Sequence, residues 1–474
     1  MNLYRTEDIQ AITDNLDQII DKSITIRNKE LTPSIDEYIQ VIDTIKSFIR
    51  EKKRIIYGGN ALNTLICNKN PDDRIYKTNN KKDIEFYTPE PIKDLVELCN
   101  LLHQKGFDYI QGGEAMHDET YSIFVNFENV CDITYMSRNI YGNMPTIKLN
   151  KILYTHPMWI MVDTLRQYND PILSYWRLKD KTFFRSNVLQ KYYPLELNTK
   201  KKYENDLSLL NHKENIFNEI SNIDTLIFLG SIAEQYYLTR SKNINHSNLE
   251  IMSVNYNQDI KTINTIIKEV LDDEYKNIKI NVYRPFFQFR DEYVEFLLDN
   301  KPLIKIFNVN KICIPYNNLY INKNRIDKIQ LGGFYKPKKQ INNLTIKLAT
   351  FILLFNHILV WRHYEYINRR DKYKEYEYLM SELLKEREQY LNKNTLNVMD
   401  DSPYKEFIVK CSGKTVDHGR LARLKKKQNY LKKKFAFRYE PSSAKADYKI
   451  PEIIFNNTSG NVSKNENDIR KIFS

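Results

Sequence analysis

Two carboxylates two residues apart, Asp83 and Glu85 in Lys82-Asp83-Ile84-Glu85-Phe86, follow an apolar run that ends in a Gly-Gly turn, Ile55-Ile56-Tyr57-Gly58-Gly59-Asn60. On a strand such residues share a face roughly 7 Å apart, so both acids can converge on common cations. A third acid, Asp132, stands alone in the apolar run Val130-Cys131-Asp132-Ile133-Thr134. Glycines let the backbone approach a phosphate, and the helix start behind them offers unpaired N–H groups. Gly-Gly alone reads as an ordinary turn. The three elements in order, with apolar flanks around each acid, point to a divalent-metal site. Nucleotidyl transfer needs such a site, where two metals about 3.5–4 Å apart clamp an in-line displacement.

The elements that must position these residues are legible in outline. Residues 7–50 read as helical: Ser34-Ile35-Asp36-Glu37 after Pro33 is a capping box, and Tyr38, Val41, Ile42, Ile45, Phe48 and Ile49 form an apolar stripe. Residues 51–137 alternate strand-like and helix-like segments, with a helix over 92–105 and a hairpin over 121–136. An apolar helix over 158–168 and a basic stretch over 174–194 follow. The segment 68–82, rich in Asn, Asp and Lys, reads as a surface loop, and 441–474 as a mobile tail.

At 474 residues the chain exceeds what one core supports, so several domains are expected. Five cysteines lie far apart without a C-x-x-C, which argues against a disulfide framework and a structural zinc. The N-terminus lacks the apolar stretch of a signal peptide. Residues 348–361 form the longest apolar run, too short for a membrane span and suited to a buried helix. The excess of Lys, Asn, Ile and Tyr reflects AT-rich codons.

Net charge is +12, and nine Lys/Arg without an acid fall within 420–438; without them the charge is +3. Leu421, Leu424, Leu431 and Phe435 recur there at helical spacing, with Tyr430, Phe437 and Tyr439 among the charges. Lys425, Lys426, Lys427, Lys432, Lys433 and Lys434 suit an RNA backbone, and the aromatics suit stacked bases. A solvated helix, a localisation signal or a membrane-surface helix is the alternative.

An internal repeat is also readable. Leu226-Ile227-Phe228-Leu229-Gly230-Ser231 echoes the Gly-Gly strand, Leu249-Glu250-Ile251-Met252 the paired-acid strand, and Leu303-Ile304-Lys305-Ile306 the lone-acid strand. Matching Gly230 to Gly58, Glu250 to Asp83 and Lys305 to Asp132 gives offsets of 172, 167 and 173. Met252 and Lys305 then replace two acids, so residues 205–335 read as a copy that cannot hold a metal pair.

At the Gly-Gly turn and the three acids the chain resembles the nucleotidyltransferase superfamily of DNA polymerase beta, with a longer gap between turn and acids. Domain order, together with Ser174-Tyr175-Trp176-Arg177-Leu178-Lys179-Asp180-Lys181-Thr182-Phe183-Phe184-Arg185 and Lys191-Tyr192-Tyr193-Pro194, is similar to the poly(A) polymerase catalytic subunits of giant viruses, asfarviruses and poxviruses.

The resemblance implies an α+β nucleotidyltransferase fold, a mixed sheet with helices, in tandem catalytic and degenerate copies with helical N-terminal and C-terminal segments. The divisions are 1–50 (N-terminal helical), 51–200 (catalytic), 201–440 (degenerate copy with helices and the basic run) and 441–474 (tail). It implies template-independent transfer of AMP from ATP to the 3′ end of mRNA. Asp83 and Glu85 would bind two Mg²⁺ or Mn²⁺ ions and Asp132 would complete the site. Gly58, Gly59 and Asn60 would hold the triphosphate. Lys181 and Arg185 are candidate phosphate contacts or, alternatively, surface charges. Expected partners are the RNA 3′ end, ATP and a second copy, with no membrane, in the cytoplasmic viral factory and the virion. An RNA-binding pseudoenzyme or scaffold, or a nucleotidyltransferase acting on tRNA or oligoadenylate, is the rival reading.

Overall fold

Apolar runs broken by Gly, Asn and Asp turns build two eight-stranded mixed sheets. The computed structural model describes residues 3–30, 35–76, 83–198, 200, 208–238, 249–321, 344–417, 419–421, 423–424, 437–445 and 447–463. Two helices lead in, α1 (Thr6–Glu30) and α2 (Ile35–Glu51). The expected stripe of α2 is buried through Val41, Ile45, Phe48 and Ile49. Ser34 of the expected capping box lies outside the described residues.

The first sheet and its helices follow as β1 (Ile55–Tyr57), α3 (Gly58–Lys69), β2 (Ile84–Thr88), α4 (Pro91–Gln104), β3 (Gln111–Glu114), β4 (Thr120–Val125), β5 (Glu128–Tyr135), α5 (Arg138–Asn143), β6 (Thr146–Leu149), β7 (Ile152–Thr155) and α6 (Pro157–Tyr168). Its strand order is β3-β4-β5-β2-β1-β7-β6. β2 buries Ile84 and Phe86 completely, which turns Glu85 to the opposite face. Then come α7 (Pro171–Ser174), a π-helical turn over Leu178–Phe183, α8 (Phe184–Tyr192) and α9 (Leu210–Ile220).

The second unit repeats the plan with β8 (Leu226–Leu229), α10 (Gly230–Tyr237), β9 (Leu249–Ser253), α11 (Tyr256–Leu271), β10 (Ile278–Tyr283), β11 (Tyr293–Leu298), β12 (Lys301–Asn308), β13 (Ile314–Ile321), β14 (Leu344–Ala349), α12 (Phe351–Ile367) and α13 (Tyr373–Asn394). Its order, β10-β11-β12-β9-β8-β14-β13, matches the first sheet strand for strand. The copy therefore runs past residue 335, the expected end, to α12, the counterpart of α6. These two equivalent helices pack on each other: the His363 ring hydrogen-bonds the Met158 carbonyl at 3.1 Å and lies 5.1 Å from the Trp159 ring. One apolar core crosses this joint, uniting Ile55, Tyr87 and Trp159 with Phe287 and Leu354, and a second lies under the first sheet. The apolar run 348–361 falls largely in α12, a buried helix as expected, and no described helix is long and apolar enough to cross a membrane.

Pairing register corrects the alignment of the two copies. Tyr57 pairs with Glu85 across β1–β2, and Leu229 pairs with Glu250 across β8–β9. Glu85 stands opposite Asp132 across β2–β5, and Glu250 opposite Lys305 across β9–β12. Glu250 is thus the counterpart of Glu85, not of Asp83, and Met252 that of Tyr87; the sequence has Asn248 where the first copy has Asp83. A slip of two residues keeps every side chain on its face, so strand alternation could not detect it. The conclusion that two acids are missing still holds.

In their place an ion pair forms. Lys305 Nζ lies 3.0 Å from Glu250 Oε1, and His357 Nε2 lies 2.7 Å from Glu250 Oε2, all three buried or nearly so. Burial alone would raise the Glu250 carboxyl, but Lys305 and His357 hold it well below the usual carboxylate range.

Three further expectations change. Cys313 and Cys411 form a disulfide, because β15 (Cys411–Ser412) pairs with β13 and joins residues 98 apart in sequence. Of the segment 68–82, expected as a surface loop, residues 68–69 close α3 and 77–82 lie outside the described residues. After a 3₁₀ turn at Pro71–Asp73, the amides of Ile75 and Tyr76 donate to Asn63 Oδ1 of α3 at 2.8 and 3.2 Å. The tail is docked over 441–463, and 464–474 lie outside the described residues. Just before it, β16 (Arg438–Tyr439) pairs with β3 at the sheet edge. Phe455 then stacks on Tyr135 at 4.0 Å, the Asn456 and Asn457 amides donate to Glu119, and the Ser463 amide donates to the Val282 carbonyl at 2.7 Å.

Glu250→Ala would remove the carboxylate that the buried Lys305 ammonium bonds, leaving only the charge of Glu295 across β11–β12. It is expected to destabilise the fold by about 3–5 kcal/mol in denaturant titration, and Glu250→Leu with Lys305→Met to recover most of that loss.

Candidate active site

The turn between β1 and α3 is shaped by what cannot be there. Gly58 has φ +65°, and a Cβ on it would fall 1.9 Å from Glu85 Oε2. Gly59 has its backbone N–H on Glu85 Oε2 at 2.9 Å, and a Cβ on it would fall 2.0 Å from the Tyr76 hydroxyl. Glycine at both positions lets the carboxylate of β2 close on the first turn of α3, where N–H groups have no helical partner. Asn60 is the third residue of that helix. In the second copy Gly230 keeps the positive φ, at +56°, but a fully buried Ser231 replaces Gly59.

The parallel register of β2 and β5 sets Asp132 directly beside Glu85, and Asp83, just before β2, is near enough for its charge to act on Glu85. Ser122 of β4 donates to Asp132 Oδ1 at 2.6 Å, and the Asn129 amide donates to the same oxygen at 3.2 Å. Below them the Tyr57 hydroxyl lies 2.7 Å from Thr134 Oγ1, and its ring stacks on Tyr87 at 3.9 Å. Burial pushes the Glu85 carboxyl up to about 7, reinforced by the charges of Asp83, Asp132 and Asp163 and opposed by the Gly59 N–H. Asp163, on α6, is held by Arg166 at 2.7 Å and Gln167 at 3.0 Å.

Each acid is held by its own neighbours: among the described residues no three His, Cys, Asp or Glu side chains converge as a ligand set. The donor chemistry nevertheless suits a hard divalent cation, since every group offered is a carboxylate oxygen.

Arg185 and Lys181 part company. Arg185 Nη1 donates to the Tyr76 hydroxyl at 3.1 Å and would lie 3.5 Å from a Cβ on Gly59, so it reaches the turn. Lys181 Nζ lies instead 4.8 Å from the centre of the Trp176 ring. Lys425, Lys426, Lys427, Lys432, Lys433 and Lys434 lie outside the described residues. Tyr76, Ser122, Asn129 and Asp163 went unnoticed in the sequence, because nothing in their spacing ties them to the acids.

A carboxylate pair set across parallel strands beneath a glycine turn, on a sheet of this order, defines a nucleotidyltransferase. Residues 43–174 match the family model described as poly(A) polymerase catalytic subunit. Residues 186–471 match one described as the C-terminal part of the provisionally named APMV poly(A) polymerase catalytic subunit. A provisionally named poly(A) polymerase catalytic subunit of Acanthamoeba polyphaga mimivirus is 31% identical over 501 residues, spanning 97% of this chain and 82% of that protein. One from African swine fever virus is 29% identical over 170 residues, 35% of each chain. The crystal structure of the Megavirus polyadenylate synthase aligns with a TM-score of 0.81 at 29% identity, covering 98% of this chain and 93% of that one. The chain belongs to the family of viral poly(A) polymerase catalytic subunits, transferases that add poly(A).

Proposed function

We propose that this chain transfers AMP from ATP to the 3′ hydroxyl of mRNA, without a template, at Asp83, Glu85 and Asp132. The observation that carries this reading is the side-by-side register of Glu85 and Asp132 beneath the Gly58–Gly59 turn. The glycine backbone and the first N–H groups of α3 receive the triphosphate, with Asn60 as a side-chain donor and Arg185 on a phosphate oxygen. Lys181, which lies over the Trp176 ring, is the weaker candidate for a phosphate contact. Asp83 and Glu85 would hold two Mg²⁺ or Mn²⁺ ions, with Asp132 as the third ligand. When bound there, the metals supply activation of the 3′ hydroxyl and neutralisation of charge on the leaving group. The 3′ oxygen bonds to the α-phosphorus as the bond to the bridging oxygen breaks. Pyrophosphate leaves, and Asp132, oriented by Ser122 and Asn129, accepts the hydroxyl proton.

Offered one nucleotide at a time with an RNA primer, the protein should extend it with ATP. Asp83→Ala, Glu85→Ala and Asp132→Ala should each bring extension to background, and a double substitution should cost little more, since these residues act as a unit. Near-normal extension by Glu85→Ala would overturn the assignment.

Product retention is assigned to the six lysines within 425–434. The chain rejoins the fold after that run, where β16 pairs with β3. Each phosphate neutralised on a single strand contributes about −0.7 to the slope of log affinity against log salt. Replacing all six by Gln should flatten that slope and shorten tails, while addition of the first adenylates at saturating primer survives. An unchanged slope would move the RNA track elsewhere.

The protein is further proposed to work as a symmetric dimer, in the cytoplasmic viral factory and the virion. Ile9, Ile12, Leu16 and Ile19 recur at spacings of three and four along α1, Ile26 follows seven residues on, and all remain exposed, Leu16 by 46%. Such a stripe is the self-complementary seam of a helix pair, and a second copy supplies its match. Leu16→Glu is expected to halve the mass measured by light scattering; a dimer that survives it pairs through another face.

A further inference from the structure

The space above Gly59 is already taken. The Tyr76 hydroxyl sits 2.0 Å from where a Gly59 Cβ would be, on the open side of the turn that is read above as the triphosphate seat. Arg185 holds it there, donating at 3.1 Å from Nη1 with its guanidinium carbon 5.1 Å from the ring centre. Arg185 Nε is buried without a hydrogen-bond partner, and no described carboxylate pairs with this guanidinium. Burial pushes the Tyr76 hydroxyl above its usual value and the charges of Glu85 and Asp83 add to this, against Arg185, so the phenol is neutral. A guanidinium whose one bond goes to a neutral hydroxyl is under-used, because charge-assisted bonds to carboxylate or phosphate are about twice as strong.

The backbone behind Tyr76 is fixed independently of its ring. Asn63, one turn along α3 from Gly59, accepts the amides of Ile75 and Tyr76 on its Oδ1. A change of χ1 rotamer can therefore lift the ring away without moving the main chain.

We propose that Tyr76 is a side-chain plug of the triphosphate seat: its hydroxyl stands in for a phosphate oxygen, and nucleotide binding expels it and passes Arg185 from phenol to phosphate. The inference rests on the reading of the Gly58–Gly59 turn as that seat. Affinity is then lowered by the fraction of molecules in which the plug is closed. A phosphate-bearing ligand recovers that loss through Arg185, whereas a nucleoside without phosphates does not.

The test is calorimetric binding of an ATP analogue with a non-cleavable α–β bridge, in Mg²⁺, to the full chain and its variants. Tyr76→Phe removes the hydroxyl and keeps the ring packed. It should tighten binding by about 2–10-fold, the worth of one hydrogen bond. Tyr76→Ala should tighten it at least as much, and Arg185→Ala should weaken it at least about tenfold, as expected for losing a charge-assisted bond. In the Arg185→Ala background Tyr76→Phe should add less than in the unaltered chain, since the Arg185 bond that it removes is already gone. Binding weakened or unchanged in both Tyr76 variants, with Arg185→Ala still weak, would overturn the plug and leave the seat standing. Unchanged binding in Arg185→Ala would overturn the seat itself.

Discussion

Everything at this site depends on how closely the Glu85 carboxylate approaches the Gly58–Gly59 backbone. The antiparallel register of Tyr57 with Glu85 brings strand and turn together, and the contact is possible because neither glycine carries a Cβ. One carboxylate oxygen takes the Gly59 N–H, which tethers the start of α3 to β2. From that tether the rest follows. β5 beside β2 fixes Asp132, α3 fixes Asn63, and Asn63 fixes the main chain that carries Tyr76. The π-helical turn and α8 then bring Arg185 in from the far side of the same seat.

The second unit repeats the frame without the chemistry and gives the first its support. Because α6 and α12 follow equivalent strands and pack on each other, the catalytic sheet rests on its own degenerate copy through a shared apolar core. The docked tail adds a second tie. It leaves the edge of the first sheet at β16, crosses Glu119 and Tyr135, and ends beside β10 of the second.

The acids and the glycine turn were legible because each motif is local: strand alternation and a Gly-Gly dipeptide carry their own geometry. The duplication was legible in strand order and misread by two residues. Leu249-Glu250-Ile251-Met252 keeps the same alternation at either alignment, and only hydrogen-bonded pairing with Leu229 chooses between them. Tyr76 was invisible for a different reason. Its role comes from Arg185, 109 residues away, and from an asparagine side chain folding back on the chain. The Cys313–Cys411 bond and the docking of the tail are likewise products of long-range strand pairing, to which spacing and composition are blind.

The two copies also offer an internal control on which of them is a site. Glu85 and Glu250 occupy the same place on equivalent strands, yet their carboxyls are displaced in opposite directions. Burial acts on both alike, tending to raise each. Around Glu250 the chain supplies its own cation in Lys305 and a hydrogen-bonding ring in His357, and the carboxyl falls well below its usual range. Around Glu85 it supplies more acids, Asp83, Asp132 and Asp163, and the carboxyl rises to about 7. A buried charge that the fold neutralises internally has become structure. One that the fold surrounds with like charge is held at a cost in stability, and such strained groups cluster where ligands bind. The lysine that stands opposite Glu250 thus makes that carboxylate part of the frame, whereas opposite Glu85 the chain places another acid, Asp132.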